Sequence, residues 1–147
     1  MTTSQTGRSS FTLIELLFVI AIIAILAVAS FPGLRKTFNN LQLENSAKEL
    51  QSFINYLQQR SVSEGKIIYL NIDSENKGYW AQLKDSQNRI RSFSIPQALS
   101  VSTQQKQVAF YPDGKIDPFT IKLTSPDVNT ISLTTEGVFG GVKVKSQ

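Results

Sequence analysis

Few residues in this chain could do chemistry, because it contains no cysteine and no histidine. Thiol catalysis, a serine–histidine triad and zinc sites built from these two residue types are therefore excluded. The sequence also lacks the glycine-rich patterns G-x-x-x-x-G-K-[ST] and G-x-G-x-x-G that hold phosphates. Most of the common hydrolytic machinery is thus absent, and we expect a protein that is not an enzyme.

Carboxylates occur at two predicted turns, where they could contact a hard cation such as Ca²⁺. Asp73 and Glu75 flank one turn, and Asp113 and Asp117 flank the other. Acidic side chains are common at turns because they accept hydrogen bonds from the nearby backbone, and Asp113-Gly114 is most simply explained in this way. We therefore predict no metal site and no cofactor.

One further carboxylate, that of Glu15, lies inside an apolar segment. The only polar residues in 11–31 are Thr12, Glu15 and Ser30. As a helix this segment would be about 32 Å long, which matches a hydrocarbon core of about 30 Å. A charge at the centre of a membrane costs about 2.5–3.5 kcal/mol, and less near an interface. Glu15 is therefore a candidate functional residue that requires a partner.

The apolar segment allows two alternatives. In one it is a secretory signal peptide, with Arg8 in the charged region, residues 16–26 as the apolar region and an A-x-A cleavage site at 27–29. In the other it is a retained anchor. A disposable signal gains nothing from Glu15, so this residue favours the anchor. Basic residues lie on both sides of the segment, so the positive-inside rule does not set its orientation.

Residues 11–17, with the sequence FTLIELL, resemble the N-terminal signal of type IV prepilins and of type II secretion pseudopilins. In that family a prepilin peptidase cuts just before the aromatic residue, and the new N-terminus is then methylated. The resemblance implies cleavage between Ser10 and Phe11, methylation of Phe11, and a mature chain whose fifth residue is Glu15. Ser10 stands where the family usually has Gly.

The resemblance also supplies a partner for Glu15. Its carboxylate would pair with the free amine of Phe11 on a neighbouring subunit, and such a pair offsets the cost of burying each charge separately. A misplaced subunit would leave a buried charge unpaired, so the pair would set the register of assembly. The implied partners are other pseudopilins or pilins, the prepilin peptidase and the bacterial inner membrane, with a single pass and a periplasmic C-terminal domain.

Beyond the apolar segment, the sequence predicts that the helix continues. Pro32 would kink or loosen it, and termination at this residue is the alternative. Residues 34–63 contain neither Gly nor Pro, and we expect the helix to end near Gly65. After Leu41 the apolar stripe moves to roughly the opposite face, which suits a helix that packs first on other subunits and then on its own domain. The alternative is a break near 39–40.

After Gly65 the apolar period changes from that of a helix to that of a strand. Short polar turns separate the successive segments, which predicts a meander of antiparallel strands joined by hairpins. The predicted strands are 67–72, 79–84, 89–95, 99–102, 107–111, 119–124, 130–135 and 137–145.

These elements predict an α+β, pilin-like fold. A long N-terminal helix, transmembrane in its lower half, would pack by its upper half on an antiparallel β-sheet domain. The predicted boundaries are a leader peptide at 1–10, a transmembrane helix at 11–31, its periplasmic continuation at 32–64 and the β domain at 65–147.

Three later features resemble the GspH/FimT branch of this family: the sequence FYPDG at 110–114, an Ile-x-Leu strand at 131–133 and a Gly-containing last strand. This resemblance implies an H-type minor pseudopilin of the type II secretion system, a structural subunit of the periplasmic pseudopilus used in protein export. The alternative within the family is a FimT/FimU-like minor type IV pilin in pilus assembly or DNA uptake. The alternative from another class is a secreted soluble binding domain with a conventional signal peptide.

The sequence GVKVK at 141–145 weakly resembles the Gly-Arg-x-Arg ending of DNA-binding FimT-like pilins. Strand alternation would place Lys143 and Lys145 on one face, spaced to meet phosphates, so DNA is a partner only under that alternative. Lys replaces the Arg of the motif, which removes bidentate contacts. The simpler hypothesis is a solvated face, in keeping with a net charge of +4 that comes from scattered Lys and Arg.

Overall fold

The computed structural model describes residues 12–86, 88–135 and 141–146. The described residues form helix α1, Leu13–Glu64, followed by eight strands. These are β1 Ile68–Asp73, β2 Gly78–Leu83, β3 Arg89–Ser94, β4 Ser100–Thr103, β5 Gln107–Phe110, β6 Phe119–Thr124, β7 Thr130–Thr135 and β8 Lys143–Ser146. The chain divides within α1 into two compact units, Met1–Arg35 and Lys36–Gln147.

Helix α1 is assigned as one element from Leu13 to Glu64. It includes Pro32, so the helix does not terminate there, and no break separates residues 39 and 40. The helix ends where the sequence predicts. Gly65 adopts a φ of 63°, which residues other than glycine rarely adopt. The amide of Lys66 then donates to the carbonyl of Ser61, which is the hydrogen bond of a Schellman cap.

The eight strands form two four-stranded sheets, with the orders β3-β2-β1-β5 and β4-β6-β7-β8. Every pairing is antiparallel. The α+β class, with one long helix followed by antiparallel sheets, is therefore confirmed. The predicted simple meander is incomplete, because β5 returns to pair with β1 and β4 crosses to pair with β6. The physical reason lies in β5, whose last three residues are all buried and so need cover on both faces.

The upper part of α1 supplies one wall of the core. Its buried residues recur at helical spacing and pack with buried residues of both sheets in one cluster. The buried helix residues are Leu43, Ala47, Leu50, Phe53, Ile54 and Leu57. Each fully buried aliphatic side chain contributes about 1.5–3 kcal/mol to folding. The prediction that the upper half of the helix packs on its own β domain is thus confirmed.

Polar contacts fix the end of the helix against the turn between β5 and β6. The hydroxyl of Ser61, itself buried, donates to the carbonyl of Tyr111 at 3.1 Å. The side-chain amide of Gln58 donates to the carbonyl of Gly114 at 3.0 Å. These contacts hold the FYPDG turn against the helix.

An aromatic group lies between the helix and the edge strand β3. The ring of Phe53 packs edge-on against Phe93 at 4.8 Å and tilted against Tyr79 at 5.8 Å, while Tyr79 stacks on Phe93 at 5.1 Å. Such pairs stabilise beyond their buried area by about 0.5–1.5 kcal/mol. Burial raises the pKa of the Tyr79 hydroxyl, with the nearby Glu49 carboxylate as a second cause, so Tyr79 stays neutral at physiological pH.

Candidate assembly surfaces

The first candidate surface is the lower part of α1. The side chains described between residues 13 and 28 are all exposed, and they are apolar apart from Glu15. The helix contains an 18-residue window with a mean hydropathy of 2.9, none of which is buried within the protein. By length and composition it could cross a membrane. A surface this apolar requires lipid or other apolar helices as its surroundings.

Glu15 lies in the first turn of this helix. Its side chain is exposed, and among the residues described no basic group forms an ion pair with it. A carboxylate at this end of a helix interacts favourably with the positive end of the helix dipole. Its predicted partner, the Phe11 amine, and the predicted cleavage point after Ser10 lie outside the described residues. The pairing of Glu15 therefore stays a prediction.

The apolar stripe of α1 changes sides where the sequence predicts. Phe38 and Leu41 are 64% and 53% exposed, whereas Leu43 is only 3% exposed. Two asparagines mark the transition. The amide of Asn39 donates to Asp127 at 2.9 Å, and Asn129 donates to the side-chain oxygen of Asn40 at 2.6 Å. The turn between β6 and β7 therefore binds the helix at this level, a contact that sequence reasoning missed because the two partners are far apart in the chain.

Two of the candidate calcium ligands, Asp73 and Asp113, serve as turn caps. Asp73 accepts hydrogen bonds from the backbone amides of Glu75 and Asn76, and the bond from Asn76 is the main reason that its pKa is lowered. Asp113 accepts from the amide of Lys115, which lowers the pKa of Asp113 in the same way. Within the part of the chain that the structure describes, no three His, Cys, Asp or Glu side chains lie close enough to hold a metal ion.

The structure places Lys143 and Lys145 on one face of β8, opposite Thr134 and Ser132 of β7. Ser132 also lies opposite Lys122 of β6, so a third lysine belongs to this face. Sequence reasoning missed Lys122, although its position between the buried Ile121 and Leu123 already indicated an outward side chain. The result is a sheet face whose described positive charges come from three lysines on two strands, β6 and β8.

Two family models match the sequence. The first, described as "Prokaryotic N-terminal methylation motif", matches residues 6–31. The second, described as "Type II transport protein GspH", matches residues 46–138, which is more than half of the chain. The first match covers the predicted prepilin signal, and the second covers the upper helix and most of the two sheets. No curated protein sequence matches the chain.

Solved structures of pilin-like proteins share the fold. The minor pseudopilin EpsH from the type 2 secretion system of Vibrio cholerae aligns with a TM-score of 0.60 at 15% identity, over 71% of this chain and 97% of its own. The type IV minor pilin FimU of Pseudomonas aeruginosa aligns with a TM-score of 0.57 at 14% identity, over 71% of this chain and 92% of its own. At these identities the likeness concerns the fold alone.

The two family matches and the fold agree with each other. The N-terminal motif implies processing by a prepilin peptidase, and the pilin-like family implies assembly with other pilin subunits. The apolar helix and the prepilin motif together indicate a membrane-anchored, pilin-like structural protein, with the minor pseudopilin or minor pilin fold. The chain belongs to the family of type II transport protein GspH.

Proposed function

We propose that this protein is an H-type minor pseudopilin of the type II secretion system. It is a structural subunit of the periplasmic pseudopilus used in protein export, and it is not an enzyme. The observation that carries the proposal is the GspH family match over 46–138, the region that contains the upper helix and most of the two sheets. The fold similarity to EpsH, a minor pseudopilin of a type 2 secretion system, supports it.

The proposed mechanism is assembly by helix packing. Residues 11–31 hold the precursor in the bacterial inner membrane by a single pass, with the leader at 1–10. Prepilin peptidase removes the leader, and the freed amine of Phe11 is methylated. Glu15 then pairs with the Phe11 amine of a neighbouring subunit, which fixes the register. Residues 32–64 continue the helix into the periplasm, where the β domain at 65–147 presents a partner surface.

A FimU-like minor type IV pilin is the second candidate. The TM-score for FimU, 0.57, is almost that for EpsH, so the fold supports both functions nearly equally. Under this alternative the subunit takes part in pilus assembly or DNA uptake. Any contact with DNA would fall on the face that carries Lys143 and Lys145, and its strength would drop steeply with added salt.

Deletion of the gene in its native host separates the two candidates. We expect exported proteins to accumulate in the periplasm at several-fold higher levels, because a pseudopilus lacking one subunit type assembles poorly. Surface pili and twitching motility should remain normal. Export is measured by immunoblotting culture medium and periplasm, with re-expression of the intact gene as the control. Loss of pili with normal export would instead assign the chain to a type IV pilus.

A further inference from the structure

Arginine and lysine are distributed differently over residues 36–147. All three arginines of this range, Arg60, Arg89 and Arg91, lie over aromatic rings in β3 or next to it. The lysines lie in the helix, the turns and the other sheet, and none lies in β3. Protein–protein interfaces are enriched in arginine and aromatic residues and depleted of lysine. The distribution therefore indicates an interaction surface at β3.

The aromatic rings hold two exposed guanidinium groups in place. The Cζ atom of Arg89 lies 4.5 Å from the centre of the Trp80 ring, and that of Arg91 lies 4.9 Å from the centre of the Phe93 ring. A cation at such a distance is attracted to the face of the ring. Among the described residues, no carboxylate forms an ion pair with either group. Stacking leaves the N–H donors at the edge of each group available, and these bind carboxylates in a bidentate manner.

A β-bulge places the two guanidinium groups on opposite faces of β3. Two successive residues of β2 pair with Arg91 and Arg89, which leaves Ile90 as an extra residue of β3. Without the bulge, residues two apart would share a face. Arg89 instead lies over Trp80 on the outer face of the sheet, and Arg91 lies on the face that α1 covers. The two cations therefore flank the strand from both sides.

The outer edge of β3 is free to bind another strand. β3 stands at the end of its sheet, and no strand in the described part of the chain pairs with its outer side. A recess of about 470 Å³ on the outer face includes Trp80, Arg89 and Ser92. A recess of about 270 Å³ next to α1 includes Tyr56 and Arg91. Because alternate side chains of a strand point to opposite faces, one added strand can fill both recesses.

Charge determines which strand can bind at this edge. Charged side chains on an edge strand normally prevent pairing with other edges. Pairing of two β3 edges would bring the arginines of two copies together, and like charges on adjacent strands destabilise a sheet. Glu49 lines the recess next to α1, but within the described chain it forms no ion pair with Arg91. The edge therefore disfavours a second copy and favours a strand that carries carboxylates.

We propose that the outer edge of β3 binds an extended, acidic segment of a different pilin-like subunit. The segment joins the four-stranded sheet by backbone hydrogen bonds, and its carboxylates contact Arg89 on one face and Arg91 on the other. A neighbouring subunit is held beside this edge in a fixed orientation, as a residue-specific contact requires, whereas exported proteins only pass the filament. The proposal rests on the filament function given above and names the chemistry of one partner.

Photo-cross-linking in the native host tests this contact. Ser92, an exposed residue of β3 opposite Trp80, is replaced by the photoreactive amino acid benzoylphenylalanine in the full-length chain. We expect one major adduct with a different pilin-like protein, and mass spectrometry should locate the cross-link in a segment that carries carboxylates. The matched control has the same replacement at Ser102, an exposed residue of β4 at the edge of the other sheet, and should not give this adduct.

Charge variants separate binding from folding. Arg89→Glu/Arg91→Glu should reduce the adduct by about tenfold or more, because like charges then face each other. Arg89→Gln/Arg91→Gln removes two exposed charges that have no ionic partner among the described residues, so the thermal midpoint should stay close to that of the wild type while the adduct falls several-fold. Lys122→Glu/Lys145→Glu, the matched reversal on the other sheet, should leave the adduct unchanged.

A compensating change in the partner completes the test. Replacing the carboxylates of its cross-linked segment by lysine should restore the adduct of Arg89→Glu/Arg91→Glu. No adduct, an adduct with a second copy or an exported protein, or an adduct that both arginine variants retain would each overturn the proposal, while incorporation of the wild-type chain into sheared filaments upholds the filament function. Absence of the wild-type chain from filaments would overturn both.

Discussion

Replacement of Glu15 by alanine is expected to prevent incorporation of this protein into filaments while leaving it in the membrane. Without the carboxylate, the Phe11 amine of the neighbouring subunit would be buried with no partner. Removing one member of a buried ion pair costs about 3–5 kcal/mol, which is on the order of a hundredfold or more in an assembly equilibrium. The measurement is the ratio of the chain in sheared filaments to the chain in membranes, by quantitative immunoblotting.

Two further variants sharpen this test. Glu15→Gln keeps the size of the side chain but removes the charge, and we expect it to fail as Glu15→Ala does. Glu44→Ala removes an exposed carboxylate from the same helix, where it forms only a surface ion pair with Lys48 at 3.7 Å. Such pairs contribute little, so incorporation should be unchanged. Normal incorporation of Glu15→Ala would remove the proposed registry role.

Replacement of Phe110 by alanine should destabilise the β domain more than any surface change. Phe110 is fully buried in the core cluster, lies opposite Ile68 of β1 and forms a bridge with Ile116. Truncating a buried phenylalanine costs about 3–5 kcal/mol, a large part of the 5–15 kcal/mol typical of a whole domain. Thermal unfolding of the full-length chain in detergent can be followed by the fluorescence of Trp80, its only tryptophan.

Phe38→Ala is the matched control for Phe110→Ala. The same side chain is removed, but at a position that is 64% exposed, so the unfolding free energy should change by no more than about 0.5 kcal/mol. Equal destabilisation by the two variants would contradict the assignment of Phe110 to the core and of Phe38 to a surface.

Local periodicity was enough to predict the elements of the fold. The change from helical to alternating spacing after Gly65 locates the end of α1, since glycine adopts the positive φ found there more readily than other residues do. Alternation of apolar and polar residues in β1 and β6 likewise predicts strands whose bounds lie within one residue of those observed. These features depend on neighbouring residues only, and the sequence displays neighbouring residues directly.

Pairing between distant segments could not be predicted in the same way. Nothing local specifies that β5 lies beside β1 or that β4 lies beside β6, because many strands have compatible edges. The binding of Asn39 and Asn40 to the β6–β7 turn joins residues almost ninety positions apart, which no spacing rule reports. Val128 has a φ of 69°, a left-handed backbone conformation that β-branched residues rarely adopt. Residue type alone would assign that conformation to the neighbouring Asn129.

The candidate assembly surfaces could likewise be predicted from the sequence only in part. Glu15 stands out in sequence because it interrupts an apolar run, whereas its proposed partner, the Phe11 amine, would belong to another subunit. Lys143 and Lys145 stand out as an alternating pair, but the contribution of Lys122 to the same face follows only from the register of β6, β7 and β8. A surface that contacts another subunit also contains residues that only folding or assembly brings together. The positions of those residues in the sequence do not reveal that they share a surface.

The intact mass of the native protein, with sequencing of its first residues, tests most directly whether this helix is kept as a filament anchor. The account predicts a mature chain that begins at Phe11, carries one added methyl group on its amine and retains Glu15 as its fifth residue. A soluble mature chain that begins at Ser30, after cleavage of a conventional signal peptide, would contradict it.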